Sequence, residues 1–198
     1  MRLRLLVCGV VLALVGPVIA AQDAARADAD RMGKKVQAIL ERGIAAPKKA
    51  APLTTTFSDK ELNAYLKLNS DGTLPAGVKD PTVQLLDGGR IDTRAMVDLD
   101  AVRTSEKRGW LDPLSYVTGT LEVRTIGVFR GTKGQGVFVF ESATVGGVPV
   151  PKTVMQELVA YYTRTPEIPK GILLDTPFEL PAGIREVELR RGTATVIQ

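Results

Sequence analysis

Apolar positions change period several times along the chain, and each change marks an element. From 23 to 45, Met32, Val36, Ile39, Leu40 and Ile44 recur at helical spacing. Asp28 and Asp30 lie early and basic residues follow, the order a helix dipole prefers. Gly33 weakens the helix by about 1 kcal/mol relative to Ala. Residues 46–52 form a linker with prolines at 47 and 52, so the helix is either a stalk or a piece packed on the following domain. Thr54-Thr55-Thr56 favours a strand. Ser58 and Glu61 then have capping-box spacing, Phe57 and Leu62 can form a hydrophobic staple, and Leu62, Tyr65 and Leu66 give a short helix its stripe.

After Pro81 the period is two. Val83 and Leu85 lead to a turn at Asp87-Gly88-Gly89-Arg90, and Ile91, Thr93, Ala95, Val97 and Leu99 share one face of the next strand. Asp92, Arg94, Asp98 and Asp100 share the other, which predicts a hairpin with one buried side. The pattern Ser115–Arg130 is a long strand whose partner, Val137–Val145, follows a Gly-rich turn at 131–136. Sixteen residues at about 3.3 Å each span roughly 53 Å. That exceeds the width of a compact domain of this size, so the sheet bends or the molecule is elongated. Gly119 and Gly127 suit bends, or the strand breaks at one of them. Val137-Phe138-Val139-Phe140 is apolar on both faces, which asks for cover on both sides, from packed core or from an apolar ligand. Val154, Met155, Leu158, Val159 and Tyr162 stripe a helix over 152–163. A Pro-rich loop, the short apolar run Ile172-Leu173-Leu174 and a hairpin at Arg191-Gly192 complete the chain. The fold class is α+β: a long, curved antiparallel meander packed against two or three helices.

Residues 1–20 read as a signal peptide. Arg2 and Arg4 precede an apolar run from Leu5 to Val15, Gly16-Pro17 breaks it, and Val18-Ile19-Ala20 offers a cleavage site before Ala21. The alternatives are an uncleaved anchor or lipidation at Cys8, against which stands bulky Val7. The expected division is 1–20 signal, 21–52 helix and linker, and 53–198 one α+β domain, in the periplasm or cell envelope. The chain has 198 residues, one Cys and no His. Those counts exclude imidazole metal sites and His-based nucleophile activation, and cleavage would leave no thiol. Of 26 basic residues 24 follow Ala20, as do all 22 acidic ones, so the mature net charge is +2 and nothing demands nucleic acid.

Asp98 and Asp100 project about 6.6 Å apart from one strand face, near Asp92, which fits Ca²⁺ ligation or an inverting glycosidase pair. Arg94 on that face and the absence of a calcium-loop pattern favour a solvated surface instead. No Ser has a base at catalytic spacing, and the Gly-rich turns join strands, so neither serine catalysis nor nucleotide binding is supported. The expectation is a protein with no catalytic residues, no metal and no cofactor. Tyr161 is a surface candidate for sugar or membrane contact, whereas Tyr162 joins the core stripe. Lys107, Arg108 and Trp110 form a candidate membrane-surface contact, with Trp110 as a cap on the sheet end the competing reading.

The run Ser58 to Leu66, the long meander, the Gly147-Val148-Pro149-Val150-Pro151 helix entrance and the Leu180-Pro181-Ala182-Gly183-Ile184 hairpin together resemble small bacterial envelope proteins of the YceB-like and LmeA-like kind. These are related in fold to tubular lipid-binding, or SMP-like, domains. The resemblance covers Leu53 to Gln198. It implies a curved sheet wrapping a helix around an apolar groove for lipid chains, with no catalytic residues, although a lipid-attachment box is absent here. The stripe positions then give a candidate lipid lining of Leu62, Leu66, Leu121, Phe138, Phe140, Met155, Leu158 and Val159. An envelope assembly factor that docks a protein partner is the alternative, and a sugar-binding module a third.

Overall fold

The computed structural model describes residues 4–45, 51–69, 74, 77–98, 100–101, 119–162, 170–171 and 173–198; for 4–21, Leu158, Tyr161 and Tyr162 it describes the backbone alone. It is an α+β fold in which a curved antiparallel sheet, a half-barrel, packs against a few helices. In chain order the elements are α1 (Arg4–Ala45), β1 (Thr54–Ser58), α2 (Asp59–Asn69), β2 (Val78–Leu85), β3 (Arg90–Asp98), β4 (Thr120–Thr132) and β5 (Gln135–Val145). They are followed by β6 (Val148–Val150), α3 (Lys152–Tyr162), β7 (Phe178–Glu179), β8 (Glu186–Arg190) and β9 (Thr193–Ile197).

The meander β2-β3-β4-β5 forms as the alternation predicts. Its turns follow from residues that tolerate positive φ. Lys133-Gly134 has φ 52° and 77°, and Gly146-Gly147 has 57° and 81°, the type I′ geometry that matches strand twist. The β8–β9 hairpin continues the sheet from β4, where Gly131 faces Val187, and hands it on to β1. The tip of this hairpin is pinned between two elements: the Gly192 N–H donates to Leu85 O at 2.9 Å, and the Asp59 N–H donates to Gly192 O at 3.0 Å.

The long strand does not break at Gly127; it starts after Gly119, a bend with φ 87°. β4 runs through Gly127, where the register with β5 shifts by one residue in a bulge. A Cβ at Gly127 would come 2.3 Å from Phe138 Cζ and 2.7 Å from Val139 O, so glycine lets the Phe138 ring lie flat on the strand. The expected first residues of that strand, Ser115–Val117, lie outside the described residues.

α1 continues through Gly16-Pro17 rather than breaking there, losing the hydrogen bond that proline cannot donate. It packs on the domain instead of standing off as a stalk. Ala29, Met32 and Ile39 are buried, whereas Leu40 and Ile44, expected on the same stripe, face out. The buried row holds α1 against α2, with Gly33 against the Tyr65 ring. Glu61 ties the two helices together. Its carboxylate accepts Lys35 Nζ at 2.8 and 2.9 Å, and also the Ser58 N–H at 2.9 Å, while the Glu61 N–H donates to Ser58 Oγ at 3.2 Å. The capping box therefore doubles as an interhelical ion pair. Burial alone would raise the Glu61 carboxyl, but the hydrogen bonds from Lys35 and Ser58 and the charges of Lys35 and Arg31 hold it below the usual range.

Candidate functional site

The two faces of the central strands differ in chemistry. Thr93, Thr125, Gly127, Phe138 and Phe140 share one face, fixed by the pairs Thr93–Thr125, Phe129–Phe138 and Gly127–Phe140. α3 covers it. Phe140, Ala143 and Met155 form the buried cluster there, with Val150, Val159 and Leu174 packed around them. Between sheet and helix a cavity of about 320 Å³ remains. Thr93, Thr125, Phe138 and Phe140 line it from the sheet, Met155 and Val159 from α3, and Leu173, Leu174, Thr176 and Phe178 from the segment after α3. No charged side chain lines it among the described residues. Leu173 and Phe178 are exposed, which places the mouth at that segment.

Of the eight residues expected to line an apolar groove, four meet here: Phe138, Phe140, Met155 and Val159. Leu62, Leu66 and Leu121 do not join them. α2 lies at the free edge of β2, on the far side of β3 and β4 from α3, so Leu62 and Leu66 cannot reach this cavity. Leu121 sits near the start of β4, close to Gly146, beyond the end of the cavity. The Leu158 side chain, and Lys107, Arg108, Trp110, Tyr161 and Tyr162 as candidate contacts, lie outside what is described at side-chain level. Thr93, Thr125, Leu173, Leu174, Thr176 and Phe178 were not anticipated. The apolar run at 172–174 and the place of Thr93 on the buried face of its strand were their signals in the sequence.

The opposite face is polar and largely solvated, as the carboxylates suggested, with Arg94 and Asp100 exposed; Asp92 is the exception. Asp92 is buried, because β3 is an interior strand with β2 and β4 on its two sides. Arg124 from β4 grips it with two bonds, Nε at 3.0 Å and a terminal nitrogen at 2.6 Å, while Arg94 approaches to 3.9 Å. The Arg124 hydrogen bonds hold the Asp92 carboxyl below its usual range against the opposing effect of burial. Beside this pair a cavity of about 300 Å³ is bordered by Asp59, Asn63, Thr82, Gln84 and Arg94. Asp98 takes Lys79 at 3.1 Å and the Asp100 and Ala101 N–H groups at 3.2 and 3.1 Å, and Asp100 accepts the Gly119 N–H at 3.0 Å. These carboxylates are committed to turn and cap bonds. No cluster suited to a metal occurs among the described residues.

Both outer strands of the meander have their edges closed by single residues. On β2, Asn63 Oδ1 accepts the Val83 N–H at 2.7 Å and Nδ2 donates to Val83 O at 2.7 Å. On β5, β6 covers one end and β7 the other. Between them Asp175 accepts the Phe140 N–H on Oδ1 at 2.7 Å and donates its own N–H to Phe138 O at 3.1 Å.

Comparison of the chain with models of known families, with curated proteins and with solved structures gives no match. Function must therefore be argued from this geometry alone.

Proposed function

We propose that the protein binds the hydrocarbon chain of an amphiphile between α3 and the apolar face of β3, β4 and β5. The observation that carries this reading is the 320 Å³ cavity, walled by Phe138, Phe140, Met155 and Val159 and free of charged side chains among the described residues. Its size lies near the lower end of small-molecule sites. At about 30 Å³ per water in the liquid, it has the volume of about ten such units and suits a chain segment of similar carbon count. Ten buried methylenes contribute roughly 8 kcal/mol before the costs of immobilisation. A charged headgroup stays at the mouth beside Leu173 and Phe178, since nothing inside would compensate its desolvation. Thr93 and Thr125, side by side on adjacent strands, are the polar groups on the sheet side of the site. In this reading the chain is an exported, non-catalytic envelope protein that works as the YceB-like and LmeA-like resemblance implies. Among the described side chains of α1 the buried positions begin at Ala29, so cleavage after Ala20 would leave these in place.

The test is native mass spectrometry of the protein purified from the cell envelope, with organic extraction of what it carries. A stoichiometric lipid or polyprenyl species is expected. Val159→Phe, which fills the cavity with apolar volume, should weaken binding of a decyl-chain probe at least about tenfold while the fold persists. A clean unliganded mass with no uptake of added amphiphile, or unchanged affinity in a folded Val159→Phe protein, overturns the reading.

A further inference from the structure

The segment from Leu173 to Phe178 has two roles that meet at one residue. Its side chains Leu173, Leu174, Thr176 and Phe178 wall the outer side of the cavity. Its backbone and Asp175 occupy the gap in the edge of β5 between β6 and β7. The two strand residues Asp175 bonds, Phe138 and Phe140, are the two that line the cavity from β5.

The segment is fixed at both ends and tied loosely between. At one end Gly171 rests on the last turns of α3, where a Cβ would collide with the Ala160 carbonyl. At the other, Phe178 pairs with Gly136 in the sheet. Between these anchors the ties shown among the described residues are the two Asp175 bonds to β5, an ion pair from Lys152 of α3 to Asp175, the Leu174 N–H to Gln156 Oε1 at 2.6 Å and the Thr176 hydroxyl to Leu174 O at 3.4 Å. Asp175 also holds a positive φ of 60°, a conformation that costs a non-glycine residue energy and must be maintained by those bonds. Lys152 is half exposed, so its ion pair alone adds little.

We propose that Leu173–Phe178 is the movable cover of the cavity and that Asp175 seals it, so that a ligand chain passes in and out where Asp175 leaves the edge of β5. This rests on the reading that the cavity takes a hydrocarbon chain. Release of Asp175 uncovers the Phe140 N–H and the cavity wall in one event, because the same residue closes both.

The experiment pairs amide hydrogen exchange with the kinetics of uptake of a fluorescent aryl-alkylamine probe, on the whole chain. Asp175→Ala should lower protection of the Phe140 amide about tenfold and speed probe uptake and release about equally, leaving the equilibrium affinity little changed and lowering the folding equilibrium constant by no more than the same tenfold factor. Asp175→Asn keeps an acceptor and a side chain tolerant of positive φ, and should hold Phe140 protection within about threefold of the wild type. Lys152→Ala should fall between them. Unchanged Phe140 exchange in a folded Asp175→Ala protein overturns the seal. Lost protection with an unchanged uptake rate overturns the route. A wild-type protein that takes up no probe overturns the binding reading and the cover with it, while Phe140 exchange still reports whether Asp175 closes the edge.

Discussion

The outer strands β2 and β5 are closed by the same device built in two ways. Asn63 serves β2 with a neutral amide that supplies both donor and acceptor, so the side chain satisfies Val83 without help from its own backbone. It stands on α2, and Nδ2 also donates to Asp59 O at 2.8 Å. Two positions earlier on that helix, Glu61 clamps α2 to α1 through Lys35. Asp175 serves β5 with a carboxylate, which can only accept. The donor must then come from its backbone, so closure depends on loop conformation and on a charge partner across the cavity. The first closure belongs to a helix pair joined by an ion pair and stands between two open clefts beside β2; the second belongs to a strap that walls the apolar cavity under α3. Among the described residues no large side chain is fully buried, and both halves leave space: a cleft of about 510 Å³ between α1, α2 and β2 that Asp28, Lys60, Lys67 and Asp80 border, and the cavity under α3, which no described charged side chain lines.

The contrast can be broken most severely at Glu61. Glu61→Ala removes the partner of a partly exposed lysine and one half of the capping box together, and should cost about 2 to 3 kcal/mol in urea unfolding. Ser58→Ala, which touches only the cap, should cost about 1 kcal/mol by the same measurement. A comparable change to the chemistry of each closure sharpens the point. Asn63→Asp leaves the Val83 carbonyl facing a carboxylate and should cost about 2 kcal/mol, whereas Asp175→Asn should cost less than about 0.5 kcal/mol. Equal costs would mean that the two edges are equally rigid. The smallest effect is that of pH. Glu61 and Asp92 both have depressed carboxyls in the folded state, so their contribution is complete above the unfolded values and is lost as pH falls through the folded ones. Stability should be flat from neutrality to about pH 4.5 and decline below it, and in Asp92→Asn the decline should be shallower.

Local signals predicted the elements and long-range ones were missing. The Ser58–Glu61 spacing, the Gly-rich turns and the stripe at Met155 and Val159 are encoded within a few residues, and the structure follows them. Asp92 was misjudged because its burial depends on which strands flank β3, information spread over the sheet rather than held in the alternation of one strand. The same applies to Leu62 and Leu66. Their stripe is real, but where α2 lands is decided by Asn63 docking on β2 and by Lys35, 26 residues before Glu61. Half of the candidate site was legible as apolar periodicity in β5 and α3. Thr93 was legible as part of the buried strand face, but its pairing with Thr125 was not, because register alone sets the two side by side.

The pairing of β1 with β9 has a consequence for the order in which the molecule assembles. Thr54 lies opposite Ile197, and the Gln198 side chain donates to Ile39 O and Ala182 O, so β1 and the end of α1 find their partners only in the last strand of the sheet. Contacts across more than 140 residues close late, because the chain entropy they cost is not repaid until both ends are present. A ribosome must have emitted β9, about 140 residues after β1, before this seam can form. The local hairpins of the meander can therefore form first, and the β1–β9 seam closes after them.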